Sequence, residues 1–126
     1  MLPRFRFYNI KLRTIYTVIN VDLYNEQVDC VKNNQYADVI TWDIKDGVLM
    51  QSTGLYDKNG KEIFEGDIFK APFDIGPAGF SMCKGVVEYD LEQGYQWQYL
   101  LLSELEIMGN IYENPELLEK ENNKWM

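Results

Sequence analysis

Between two strand-like runs the chain carries Asp57-Lys58-Asn59-Gly60, a sequence suited to little other than a tight reversal. An aspartate opening a turn can accept hydrogen bonds from the backbone just ahead of it, and Asn and Gly tolerate left-handed dihedrals. Two geometries fit. One is a two-residue type I′ turn at Asn59-Gly60; the other is a type I turn with Gly60 as a left-handed bulge residue. Asp57 and Gly60 stand where a type I turn wants them, which favours the second. Residues 48–56 and 61–64 are then the arms of a hairpin.

The same reading extends along the chain. Arg4-Phe5-Arg6-Phe7-Tyr8 alternates charge and ring at period two, the pattern of a half-buried strand. Residues 14–22 are rich in β-branched and aromatic types and predict a second strand. Shorter strands are expected at 27–31, 39–42, 68–71, 85–90, 96–102 and 104–108, with Gly109 interrupting the last. Residues 72–81 hold two prolines and two glycines and read as the longest loop. One helix signal appears: Asn114 suits an N-cap, Pro115 the first helical position, and Glu116 the positive end of the dipole. Short strands with a turn about every ten residues predict a mainly β fold, an antiparallel small barrel or sandwich with a short C-terminal helix.

Composition excludes several chemistries. The chain of 126 residues has no histidine and two cysteines, Cys30 and Cys83, far apart in sequence. Histidine-based triads, proton shuttles and metalloenzymes are therefore out, and a four-ligand structural zinc site cannot be assembled. The formal charge is −8, and all of it comes from residues 51–126, with six Lys and fourteen Asp/Glu. Such a balance repels phosphate backbones at long range. No apolar run approaches the ~18 residues of a membrane span, and the first residues do not form an apolar leader. A cytoplasmic location is expected, without a membrane partner.

Candidate sites are few. Read as a calcium loop from Asp57, the chain has Lys61 at the fifth position, Glu62 at the glycine position and Ile68 at the bidentate-Glu position, so the motif fails. Carboxylates two apart occur at Glu65/Asp67, Glu88/Asp90 and Glu104/Glu106; on a strand each pair would share a face. The plainer expectation is charge placed on solvated strand edges. Arg4, Arg6, Lys11 and Arg13, interleaved with Phe5, Phe7 and Tyr8, suggest a single-stranded nucleic-acid site as the alternative function. Alternation opposes it, because it sends the rings to one face and the arginines to the other. Trp42, Trp97, Trp125 and the nine tyrosines could form a recognition patch, but core filling is the simpler role. Gly76-Pro77-Ala78-Gly79 lacks the lysine of a phosphate loop. No catalytic, cofactor or metal residue is assigned, and no cofactor is expected.

Two blocks carry a resemblance. Met50-Gln51-Ser52-Thr53-Gly54-Leu55-Tyr56-Asp57-Lys58-Asn59-Gly60-Lys61-Glu62-Ile63-Phe64-Glu65-Gly66-Asp67-Ile68 resembles the signature block of the YopX family. Ile107-Met108-Gly109-Asn110-Ile111-Tyr112-Glu113-Asn114-Pro115-Glu116-Leu117-Leu118 is similar to the family's C-terminal block. The opening Arg4-Phe5-Arg6-Phe7-Tyr8-Asn9 is similar to its start, although a tryptophan-aspartate pair is common where Tyr8-Asn9 stand. The resemblance implies a protein of bacteriophages and prophages of Gram-positive bacteria, β-rich, with a small Src-homology-like barrel in the C-terminal part. It supplies no catalytic residues. The structural signature is Gly54, Asp57, Asn59, Gly60, Gly66, Asp67, Gly109, Asn110, Asn114 and Pro115.

The expectation is one domain over residues 1–126, divisible into N-terminal strands (1–48) and a C-terminal barrel with its helix (49–126). Its expected role is non-enzymatic: binding an unidentified host or phage protein, or forming a homo-oligomer. The bulged-hairpin reading also yields a test. Gly60→Val forces a β-branched residue into a left-handed dihedral and should lower the midpoint of a thermal melt; an unchanged midpoint refutes the turn assignment.

Overall fold

In the computed structural model, residues 4–33, 35–95 and 97–118 are described. The fold is mainly antiparallel β. The chain divides into two compact units, Met1–Ser52 and Thr53–Met126, with the boundary inside one long strand.

The first unit is a sheet of β1 (Phe5–Asn9), β2 (Thr14–Asp22), β3 (Gln27–Val31), β4 (Ile40–Asp43) and the first half of β5 (Gly47–Tyr56), in the order β4-β3-β2-β1-β5. Phe7 lies opposite Tyr16 on one side and Leu49 on the other. Val28 lies opposite Val21 and Trp42. These residues, with Cys30, Val18 and Ile44, form the unit's core. Val18 and Val21 are three apart and would face opposite ways in a regular strand. Pairing passes from Val18↔Cys30 to Asn20↔Asp29, so Ile19 is an extra residue that restores the parity. Ile19 itself is exposed.

The second unit contains the end of β5, β6 (Glu62–Phe64), β7 (Asp67–Asp74), β8 (Phe80–Val86), β9 (Tyr89–Asp90), β10 (Gly94–Tyr95) and β11 (Glu106–Asn110). β7 is central between β11 and β8, and β9 pairs with β10. Ile63, Phe69, Ala71, Val87, Leu105 and Ile107 form the core. A second bulge, at Met108, lies between the pairs Ile107↔Phe69 and Gly109↔Ile68. Among the described residues, no helix is long and apolar enough to cross a membrane.

The structure corrects the reading of 72–81 as a long loop. β7 runs through Pro72 to Asp74, a 3-10 turn spans Gly76–Ala78, and β8 begins at Phe80. Proline is tolerated here because the carbonyl of Pro72 points away from β8 and accepts from Leu101 N–H at 2.9 Å. Its missing N–H lies on that same side, so the β7–β8 ladder loses nothing. A strand at 96–102 is also corrected: the described part of that stretch is turn, with an isolated bridge from Leu100 to Phe73 and a 3-10 turn at Leu102–Glu104. Gly109 does not interrupt β11 but lies within it.

Gly47, paired with Asn9 at the edge of the first unit's core, is required by space. A Cβ there would collide with the Tyr8 carbonyl oxygen and come within 2.6 Å of the Phe7 ring. Gly47→Ala should therefore cost about 1–3 kcal/mol in urea unfolding, an overpacking penalty. Unchanged stability would mean that β1 and β5 do not pair as closely as described.

Candidate functional site

The Asp57 turn has the second of the two geometries. Gly60 N–H donates to the Asp57 carbonyl at 2.9 Å, Asp57 N–H to the Lys61 carbonyl at 2.8 Å, and Gly60 is left-handed at φ 81°. This is a type I turn with a glycine bulge. Asp57 is buried, and its carboxylate takes three backbone donors. Asn59 and Lys61 N–H both donate to Oδ1 at 2.9 Å, and Ile107 N–H donates to Oδ2 at 3.0 Å. Lys58 N–H reaches the Leu105 carbonyl at 2.8 Å. Burial pushes the Asp57 carboxyl up, but the donors from Ile107, Lys61 and Asn59, with the Lys61 charge, outweigh it and hold the pKa below its ordinary value.

The second signature block is tied to the first by a further bond, from Ile111 N–H to the Gly66 carbonyl at 2.9 Å. Asn110, also buried, folds the chain after β11. Its Oδ1 accepts from Tyr112 and Glu113 N–H at 3.0 and 2.8 Å, and its Nδ2 donates to Glu113 at 3.0 Å. Asn114 sends its side-chain oxygen backward to Asn110 N–H at 3.2 Å, into the space a Cβ on Gly109 would occupy. Its carbonyl accepts from Leu117 N–H at 3.1 Å as the helix begins. Asp67 is buried and accepts from Phe64 N–H at 2.8 Å. These signature side chains spend their hydrogen bonds on backbone.

The carboxylate pairs do not form shared strand faces. Glu65 lies in a turn while Asp67 is buried, and Glu88 precedes the strand that holds Asp90. Glu104 lies in a 3-10 turn, whereas Glu106 on β11 forms a salt bridge with Lys70 at 3.3 Å. Among the described residues, no group of three acids or thiols could hold a metal ion. Cys30 and Cys83 are free thiols; burial, with Asp29 nearby, pushes Cys30 up to about 11, and burial also raises Cys83.

The basic residues spread along β1. Arg4 is exposed just before the strand, Arg6 is half-buried within it, and Lys11 and Arg13 are exposed in the turn after it. At ~3.3 Å per residue, Arg4 lies roughly 16 Å from that turn. Phe7, which a stacking platform would need at the surface, is fully buried.

What sequence reading missed is an aromatic cleft in the second unit. A cavity of about 190 Å³ is lined by Phe69, Val86, Val87, Glu88, Tyr95 and Trp97. Tyr95 stacks on Trp97 with centroids 5.7 Å apart, and Tyr89 meets Tyr95 edge-on at 5.1 Å. Phe69 meets Trp97 edge-on at 6.4 Å. The Tyr95 hydroxyl donates to Glu65 at 3.3 Å. Burial, then the charge and hydrogen bond of Glu65, push the Tyr95 pKa up to about 12. The tyrosine and tryptophan content was the available signal, but nothing in the spacing of Tyr89, Tyr95 and Trp97 shows that they converge. Trp42 packs instead against Tyr16 in the first unit's core, and Trp125 lies outside the described residues.

These features define a small β protein whose distinctive polar residues fix turns. The YopX protein family profile matches residues 4–119, and the chain belongs to that family. It is similar to the crystal structure of protein EF1440 from Enterococcus faecalis, at 28% identity over 94% of this chain and 99% of that one, with a TM-score of 0.59. A search of curated proteins finds no similar sequence.

Asp57→Asn supplies one acceptor oxygen where two now serve three N–H groups, and should cost about 1–3 kcal/mol. Because the folded pKa of Asp57 lies below the unfolded value of ~3.9, its contribution is complete above that value and is lost as pH falls through the folded pKa. Urea melts from about pH 7 to about pH 3 should show a shallower acid decline for Asp57→Asn than for the unmodified chain. Parallel declines would refute this role.

Proposed function

We propose that the chain is a phage- or prophage-encoded accessory protein that acts without catalysis, by binding a protein partner or a second copy of itself. The observation that carries this reading is the open edge of β8. Among the described residues no strand pairs with β8 on the side away from β7. Phe80 and Met82 on β8 are 57% and 63% exposed, and Tyr99, beside the same hairpin, is 59% exposed.

An unpaired strand edge offers a row of backbone donors and acceptors to another chain, and native edges are normally blunted by charge or bulges. β8 carries a single charge, Lys84, whose ammonium donates to the Leu117 carbonyl at 3.2 Å. Phe73, Ile75 and Leu101 add apolar surface around the same hairpin. At ~200 Å² for a large side chain, the six residues expose roughly 600 Å², the upper end of what a monomer's largest apolar patch shows. Strand addition and apolar burial would cover it together.

Light scattering on a size-exclusion column should show a dimer or larger assembly, or a pull-down should recover a specific partner that co-elutes with the purified chain. Met82→Lys should abolish either behaviour while leaving the thermal midpoint unchanged. A strict monomer that captures no partner overturns the reading.

A further inference from the structure

The cleft around Trp97 has properties that the edge of β8 does not. It lies in the second unit, between the turn before β9 and the aromatic pair Tyr95 and Trp97. Its volume of about 190 Å³ is below the ~300–1,000 Å³ of sites for drug-sized ligands and cofactors. At ~30 Å³ per liquid water, it holds about six waters' worth of space, enough for the end of one side chain.

Its electrostatics select the sign of that side chain. Aromatic faces carry negative charge density and attract cations. Glu88 stands in the wall, and Glu65 sits at the Tyr95 hydroxyl at 3.3 Å. Asp90 lies on β9 beside Tyr89, and the residues from 51 onward carry fourteen acids against six lysines. A phosphate or carboxylate entering this space meets like charge. An ammonium or guanidinium meets rings and carboxylates together. Of the two, guanidinium is planar, more weakly hydrated, and stacks on rings while bonding carboxylates.

We propose that the cleft formed by Phe69, Glu88, Tyr89, Tyr95 and Trp97 is a recognition site for a single arginine side chain, presented by an exposed segment of another protein. The proposal rests on the reading of the chain as a protein-binding module and gives that reading a second contact of defined chemistry. Glu88 pairs with the guanidinium from the rim. Tyr95, held by its bond to Glu65, and Trp97 supply the stacking wall.

The test uses the full chain, a capped Gly-Pro-Arg-Pro-Gly peptide, and the same peptide with citrulline, the uncharged isostere, in place of arginine. Proton–nitrogen correlation spectra should show saturable shifts centred on the Trp97 indole and the amides of Val87, Glu88 and Tyr89, with a dissociation constant near ~1 mM. Citrulline, or Glu88→Gln, should weaken binding roughly tenfold, and added salt should weaken it further. Glu88 is exposed, so that variant should keep the thermal midpoint. Equal shifts from the citrulline peptide, or none at about 10 mM peptide, overturn the proposal. The two readings separate cleanly. Assembly or partner capture that survives in a chain blind to the arginine peptide rejects the cleft and leaves the protein-binding reading standing. Arginine-dependent shifts in a strict monomer that captures no partner reject the role of the β8 edge and keep the cleft.

Discussion

The second unit depends on one buried carboxylate. Asp57 closes its own turn through Oδ1 and holds the chain fifty residues later through Oδ2 to Ile107. Burying an ionised group is costly unless its oxygens are filled with donors, and three backbone N–H groups fill these. Because the donors are backbone, the carboxylate fixes chain path and leaves side-chain choice on the neighbouring strand open. Ile107, whose N–H it holds, is a core residue adjoining the bulge at Met108. Loss of the carboxylate therefore disturbs a turn, a bulge and a core position together.

Around that clamp, the two signature blocks prove to be one structural device. Lys58 meets Leu105, Asp57 meets Ile107, and Gly66 meets Ile111, all through the backbone. Asn110 and Asn114 then turn the chain away from β11. Residues of such separate segments are held as a set because each supplies half of a hydrogen bond that neither can satisfy alone. A reactive site would keep side-chain polar atoms pointed at open space; here they point at amides.

What remains for function is the surface that this scaffold carries. The β7–β8 hairpin extends past the end of β11 and presents apolar side chains beside an unpaired strand edge. The cleft around Trp97 offers rings and carboxylates in a space sized for one side chain. Both are binding features, and they differ in chemistry: one takes backbone and apolar surface, the other takes a charge.

Much of the local structure was legible in the sequence. The strands at 14–22 and 27–31 match the structure end to end, because β-branched runs bounded by turn residues leave little choice. The glycine-bulge turn at Asp57 was likewise readable, since its residues meet the dihedral demands of one turn best. Pro72 misled, because proline breaks a ladder only when its missing N–H faces a partner strand, and which way it faces is a tertiary fact. The extra residue at Ile19 was invisible for the same reason, since parity is defined only against a neighbouring strand. The aromatic cleft lay further out of reach, because Tyr89, Tyr95 and Trp97 converge only when a short hairpin folds over β7 and β8. The sequence alone determined where the chain turns and which runs extend, since those are governed by dihedral preference within a few residues. Only the tertiary structure decided that Asp57 would hold Ile107 and that three rings would enclose a cavity, because both require segments far apart in sequence to meet.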